Sequence, residues 1–579
     1  MPPLSSPSAS SSVRRSAGAL VLLGLVVGVR AAAETSPPDP LAALDSALAE
    51  ASRQLATIPE PAYYVALALA EERETTIQAT HGALAGVAHG ARRIGDVDLR
   101  VGSMALDNTH KLRDASFFSR TERTQLSVPF TDAVVPLRNG YLRTMDDAYR
   151  SARELLIKIR ANEAVKVERQ DDSADFSVAP VVVDRTDVAP APLDTELWKG
   201  IVRDASAIYL EYPNVYDSAV QVTHAEGRDW LATTEGTRIA TGRHHYRVAT
   251  WGSTVADDGM QVQVYDYVDV ASLDHLPDRA AVLTMARAVA QRVSELRRAP
   301  VVEPYAGPAI LRGRAAGVFF HEIFGHRVEG HRQKDDDEGQ TFTSRVGQAI
   351  LPDFLSVEDD PTLARIGTFD LNGHYRYDDE GVPAERVELV VGGVLRNFLM
   401  SRSPVAGFPR SNGHGRRQPG AAPVARQGNL IVRASRSVSY PRLREQLVAE
   451  VKKQGKPFGL VFDDISGGFT FTGRSEPNAF VVNPVTVWKV YPDGRPDQLV
   501  RGVDLIGTPL TTFSRILAAA DDTDVFNGVC GAESGWVPVS AVAPSLLVSE
   551  VEVQRHEKAN DRPPLLLPPP GVRPVQVPS

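Results

Sequence analysis

Gly317-Val-Phe-Phe-His-Glu-Ile-Phe-Gly-His326 is an apolar run that closes on His-Glu-x-x-x-His. His321 and His326 are potential metal ligands, since neutral imidazole is the commonest nitrogen donor to zinc. Glu322, beside the first of them, is the kind of carboxylate a metal-dependent hydrolase uses as general base. With 13 histidines and 72 acidic residues in 579, chance supplies about 0.04 such patterns. Histidines five apart on a regular helix diverge by about 140°. Both can therefore face one ion only if the helix ends or bulges between them, and Gly325 is the residue type that tolerates such a break. A plain buried helix would leave Glu322 as an interior charge without purpose.

Two histidines do not complete a catalytic zinc site, which takes three protein ligands and keeps one open position. The residues alone leave the third candidate open among His331, the run Asp335-Asp-Asp-Glu338 and Cys530. Consecutive acids commonly form a solvated loop. Cys530 reads as part of a Gly-flanked loop, Asn527-Gly-Val-Cys-Gly-Ala-Glu533, and is either a thiolate ligand or a small buried hydrophobe. Asn412, His414 and Arg416 lie in another Gly-rich stretch and are candidates for substrate or carbonyl-oxygen contacts, or for a plain turn.

Outward from the motif, residues 1–33 read as an export signal. Arg14-Arg15 precede the short apolar run Ala17–Val29, and Ala31-Ala-Ala33 offers a cleavage site before Glu34. The run is too short for a stable membrane anchor, so the expected location is periplasmic or extracellular. Cleavage would remove three arginines, leaving 60 basic against 72 acidic residues, a net charge of −12. That balance argues against a nucleic-acid partner. A lone cysteine excludes an intramolecular disulfide. No G-x-S-x-G, P-loop or dinucleotide fingerprint competes with the metal motif.

Residues 34–299 read as an N-terminal and middle region of short β-like runs (Tyr63–Leu69, Thr75–Ala79, Leu84–His89, Val97–Val101) and amphipathic helices. One helical stripe runs through 140–161, and another helix is capped by Asp278. Arg297-Arg-Ala-Pro300 is a stop signal and marks a domain boundary. Residues 165–195 read as a loop or loose strand. Residues 300–562 read as a largely antiparallel domain, with a Gly392-Gly393 hairpin and strands at Phe458–Asp463, Phe469–Thr472 and Val481–Val490. Residues 563–579, with seven prolines, read as a polyproline-like or disordered tail.

His321-Glu-Ile-Phe-Gly-His-Arg-Val-Glu-Gly330 resembles the signature of the TldD/PmbA metallopeptidases. The similarity continues through Tyr377-Asp-Asp-Glu-Gly-Val-Pro383, Ser411-Asn-Gly-His-Gly-Arg-Arg417, Val482-Asn-Pro-Val485, Leu505-Ile-Gly507 and Val537-Pro-Val-Ser540. The resemblance implies one zinc ion held by His321, His326 and Cys530, with Glu322 as general base. It implies an α+β fold: an N-terminal α/β domain, then a domain built on a large curved antiparallel sheet that carries the metal-binding helix. It also implies pairing with a second copy or with a PmbA/TldE-like subunit, and peptide or unfolded-polypeptide substrates. The contrasting expectation is a non-catalytic assembly or binding subunit with a structural metal. The sequence departs from the family at the export signal, at 165–195, and at His331, which stands where the family carries an acidic residue.

Overall fold

The computed structural model describes residues 39–112, 124–163, 171–335, 338–470, 472–473, 480–507 and 509–556. Residues 1–33, read above as an export signal, and the proline-rich stretch 563–579 lie outside the described residues.

The first sheet is built on two strands of 19 residues, Ala62–Thr80 and Ala83–Val101. Asp217–Thr233, Arg238–Val255 and Gln261–Val270 continue it antiparallel, while Val183–Arg185 pairs parallel to Arg238–Ala240. The four short runs expected from periodicity are thus two continuous strands. Their middles are polar on both faces, so alternation is lost there. The ladder nevertheless continues, with cross-strand ion pairs Arg92–Glu72 at 2.7 Å and Arg93–Glu71 at 3.2 Å.

Helices pack on this sheet in two pairs. Pro40–Leu55 and Val134–Glu163 bury Leu44, Leu48, Tyr141, Met145 and Leu156 against Val65, Leu67 and Leu99. Thr195–Ala207 and Arg279–Arg298 bury Ile201, Val202, Val282, Val289 and Val293 against Ile77, Val220 and Val248. Val65, Leu67 and Ile77 share strand parity, which puts both pairs on one side of the sheet. The Asp278 carboxylate caps the last helix, accepting from Ala281 N at 2.8 Å.

The second sheet is larger, mixed and strongly curved. Tyr305–Leu311 pairs antiparallel with Gly535–Arg555 and parallel with Gly459–Thr470. The latter pairs with Phe480–Val490, which pairs with Val503–Gly507, which returns to Gly535–Arg555. These five strands close on themselves. Gly535–Arg555 also holds the hairpin partner Ile516–Ala532 and, on parallel pairing, Asn429–Ala434. Beyond the latter come Leu355–Asp359 and the strand Val387–Val391, whose hairpin turns at Gly392-Gly393.

The helix Gly313–Ile323 packs against this curved sheet and is buried at every residue except Arg314. An apolar circumference is what an enclosed helix requires. Phe319, Phe320 and Phe324 meet Phe513, and Phe324 also meets Phe342. Gly317 permits the contact with the sheet, since a Cβ there would lie 2.8 Å from the Ala541 carbonyl oxygen.

Candidate metal centre

The α-helix ends at Ile323, and the chain continues through Phe324 into a 3₁₀ turn, Gly325–Val328. The break at Phe324, with φ −106° and ψ −53°, redirects the chain so that His326 lies beside His321; their ring centroids are 5.0 Å apart. Gly325 leaves room there for the Gln427 amide, since a Cβ would lie 1.9 Å from Gln427 Oε1 unless that side chain moved. Cys530 reaches the pair from Ile516–Ala532. The sequence suggested a Gly-flanked loop, but this is a regular strand, in which Cys530 faces Val537 across the hairpin. The loop-like glycines have a packing role: the ring of Trp536 occupies the Cβ position of Gly531, and that of Phe526 the Cβ position of Gly528.

The donor atoms of His321, His326 and Cys530 all lie within 4.8 Å of one another, and all three residues are buried. Cys530 Sγ is 3.3 Å from His326 Nε2. A zinc tetrahedron with Zn–N of about 2.0–2.1 Å and Zn–S of about 2.3 Å has edges of roughly 3.4–3.6 Å, so the trio fits one ion with small adjustment. His321 Nδ1 is buried without a hydrogen-bond partner among the described residues. His326 Nδ1 faces Glu329 Oε1 at 3.2 Å, which turns Nε2 toward the cysteine. A carboxylate orienting a ligand imidazole in this way is a recurrent feature of zinc sites.

The electrostatics favour a cation. Burial pushes the Cys530 thiol up, but His326, His321 and Arg426 outweigh it and hold the thiol well below its ordinary value. Burial pushes the carboxyl of Glu322 up, partly offset by the two histidines. Glu322 Oε2 stands 3.9 Å from His326 Nε2.

A charged network surrounds the trio. Arg332 pairs with Glu329 at 2.8 Å, Glu338 at 2.6 Å and Glu533 at 2.9 Å, and His331 Nε2 also meets Glu533. The position that departs from the family pattern therefore links the metal-motif segment to the end of the cysteine strand. In the acidic run, Asp335 pairs with Lys111 and Glu338 with Arg332; positions 336 and 337 lie outside the described residues.

The sequence offered substrate contacts or a plain turn for Asn412, His414 and Arg416; the structure buries His414 and Arg416, half-buries Asn412 and engages all three in internal hydrogen bonds. Asn412 accepts from Met400 N at 2.7 Å and donates to the Phe398 carbonyl at 2.9 Å. His414 is fully buried between Asn412 and Asp359. Arg416 donates to the Gln427 carbonyl at 2.6 Å and lies over the Tyr375 ring. Sequence reasoning did not single out Gln427 or Arg426, and it met Glu329 only inside the signature.

A buried His-Glu-x-x-x-His on a broken helix, joined by a distant cysteine, is a set of residues that could hold one metal ion. Residues 305–555 match the family model described as the PmbA/TldA metallopeptidase C-terminal domain. That match spans the second sheet, its enclosed helix and the trio His321, His326 and Cys530. The chain is 30% identical to a metalloprotease TldD homolog of Haemophilus influenzae over 42% of this chain and 48% of that one. To a metalloprotease of Methanothermobacter thermautotrophicus it is 24% identical, over 72% and 87% of the two chains. The chain spans about half the length of most of the curated relatives it matches. Among solved structures, TldE from Thermococcus kodakarensis shares the fold at a TM-score of 0.58, with 10% identity over 88% of this chain and 100% of that one.

Proposed function

We propose that this chain is a zinc-dependent peptidase acting on small or unfolded polypeptides. The observation that carries the reading is the convergence of His321, His326 and Cys530 within 4.8 Å, with the Glu322 carboxylate beside them. When bound, zinc would supply Lewis acidity at these ligands. The chain's own residues do the rest. Glu322 accepts the proton of the attacking water at its carboxylate and delivers a proton to the leaving amine. Burial raises the proton affinity of this carboxylate, which favours its taking up a proton in that exchange. Burial of the trio limits bulk water at the reacting centre. The names of the curated relatives, among them a zinc metalloprotease TldD homolog of Saccharolobus solfataricus, support the same reading.

The test is zinc content and hydrolysis of unfolded polypeptides by the full chain purified from its host. About one zinc per chain, with activity lost to a chelator and restored by zinc, is the expected result. Activity indifferent to the chelator, or zinc without turnover on any peptide, would refute the enzyme and favour a subunit with a structural metal. The proposal also includes export after removal of residues 1–33 and pairing with a second copy or a TldE-like subunit. N-terminal sequencing should start near Glu34, and light scattering should give a mass above that of one chain; an intact Met1 on cytoplasmic protein would refute export.

A further inference from the structure

His326 and Cys530 are more than 200 positions apart in the chain, yet shared ligation needs their separation fixed to a few tenths of an ångström. One side chain touches the surroundings of both. Arg426 is fully buried, on the segment that leads into Asn429–Ala434. Its Nη2 donates to the Cys530 carbonyl at 2.7 Å, and its Nη1 donates to Ser534 Oγ at 2.8 Å and to the Gly535 carbonyl at 3.1 Å. On its other edge, Nε stands 3.5 Å from Glu329 Oε1, the oxygen that faces His326 Nδ1. The neighbouring Gln427 donates to the His321 carbonyl at 3.3 Å. A planar guanidinium with five fixed donors can span such a set, whereas a lysine ammonium serves as a point charge. A buried arginine without a partner carboxylate is strongly unfavourable, and Glu329 supplies that partner.

We propose that Arg426 is a positioning residue which, through Glu329, holds the Cys530 strand in register with His326 so that thiolate and imidazole meet one ion. This rests on the zinc reading above. Arg426 touches neither the ion's place nor a reacting atom; it acts through the backbone of one ligand and the orienting carboxylate of another. The acceptors Ser534 and Gly535 extend the hold across the hairpin turn, so the strand that carries Cys530 is fixed on both sides.

The experiment uses the full chain loaded with cobalt(II), whose thiolate charge-transfer absorption reports ligation by Cys530, alongside chelator competition for zinc. Arg426→Lys keeps the charge but not the fork. It should lower zinc affinity about 10–100-fold, as loss of a residue that orients metal ligands typically does, and should weaken the thiolate band. A merely structural arginine would lower the melting temperature and leave affinity and band unchanged; that result overturns the proposal. Should Arg426→Lys fail to fold, Glu329→Gln decides, since it keeps the side-chain shape but removes the charge that bridges Arg426 to His326. The same two losses are expected, and full affinity with a full band overturns the proposal. Wild-type protein that takes up no cobalt, or Cys530→Ser protein with an intact band, refutes the zinc reading instead.

Discussion

Cys530 is the residue on which sequence and structure differ most in local form. Its neighbours read as a loop, yet its thiol points inward from a strand to within 3.3 Å of His326. Zinc coordination would shield the sulfur, so thiol reagents should label it slowly until a chelator strips the ion, and faster afterwards. Equal rates in both states would remove Cys530 from the site. Gly325 gives a second test. Gly325→Ala drives a methyl group into Gln427, 1.9 Å from the ideal Cβ, and overpacking of this kind costs about 1–3 kcal/mol. A lowered melting temperature and weaker zinc retention are expected; an unchanged protein would mean that Gln427 swings aside freely. The two histidines and Glu322 were legible because their spacing is local. Arg426 makes its contacts only in three dimensions, and nothing in Ala425-Arg-Gln-Gly428 announces it, whereas Glu329 lies three residues from His326 inside the signature.

Elements with local signals were legible as elements. The Asp278 cap and the stripe Val282, Val289, Val293 mark the helix Arg279–Arg298 in sequence as in structure. The long strands were not legible as units, because polar middles such as Glu71–Glu74 carry no period while the ladder runs on through them. Ion pairs between elements were equally invisible. Asp269, on Gln261–Val270, accepts from Arg247 Nε and Nη2, each at 2.6 Å, from His245 at 3.0 Å and from Asn372 at 3.1 Å. Burial pushes its carboxyl up, but the bonds from Arg247 and His245 prevail and hold it below the ordinary value. A lowered folded-state value means the stabilisation is present above the ordinary carboxylate range and is lost as the pH falls through the lowered value. Asp269→Asn should therefore cost about 3 kcal/mol at pH 7, the low end for a broken buried pair because Arg247 is 27% exposed. The difference from wild type should shrink in acid, as measured by denaturant unfolding. A cost independent of pH would assign the effect to packing.

At the scale of the whole molecule, the closing of five strands into a ring follows from pairings that join Tyr305–Leu311 to Gly535–Arg555 across the length of the C-terminal region. No window of sequence contains that information, although the apolar circumference of the enclosed helix hints at it. The arrangement places a His-Glu pair on a helix that cannot move independently of the sheet, and brings the cysteine from the last hairpin. The central claim is that Glu322 serves catalysis while its neighbours hold the metal. The most direct measurement is zinc content and peptide turnover of Glu322→Gln beside His321→Ala and His326→Ala. Glu322→Gln should keep its zinc and lose about 10²–10⁴-fold in turnover, whereas each histidine variant should lose both. Full turnover by zinc-loaded Glu322→Gln, or loss of its zinc, would contradict the account.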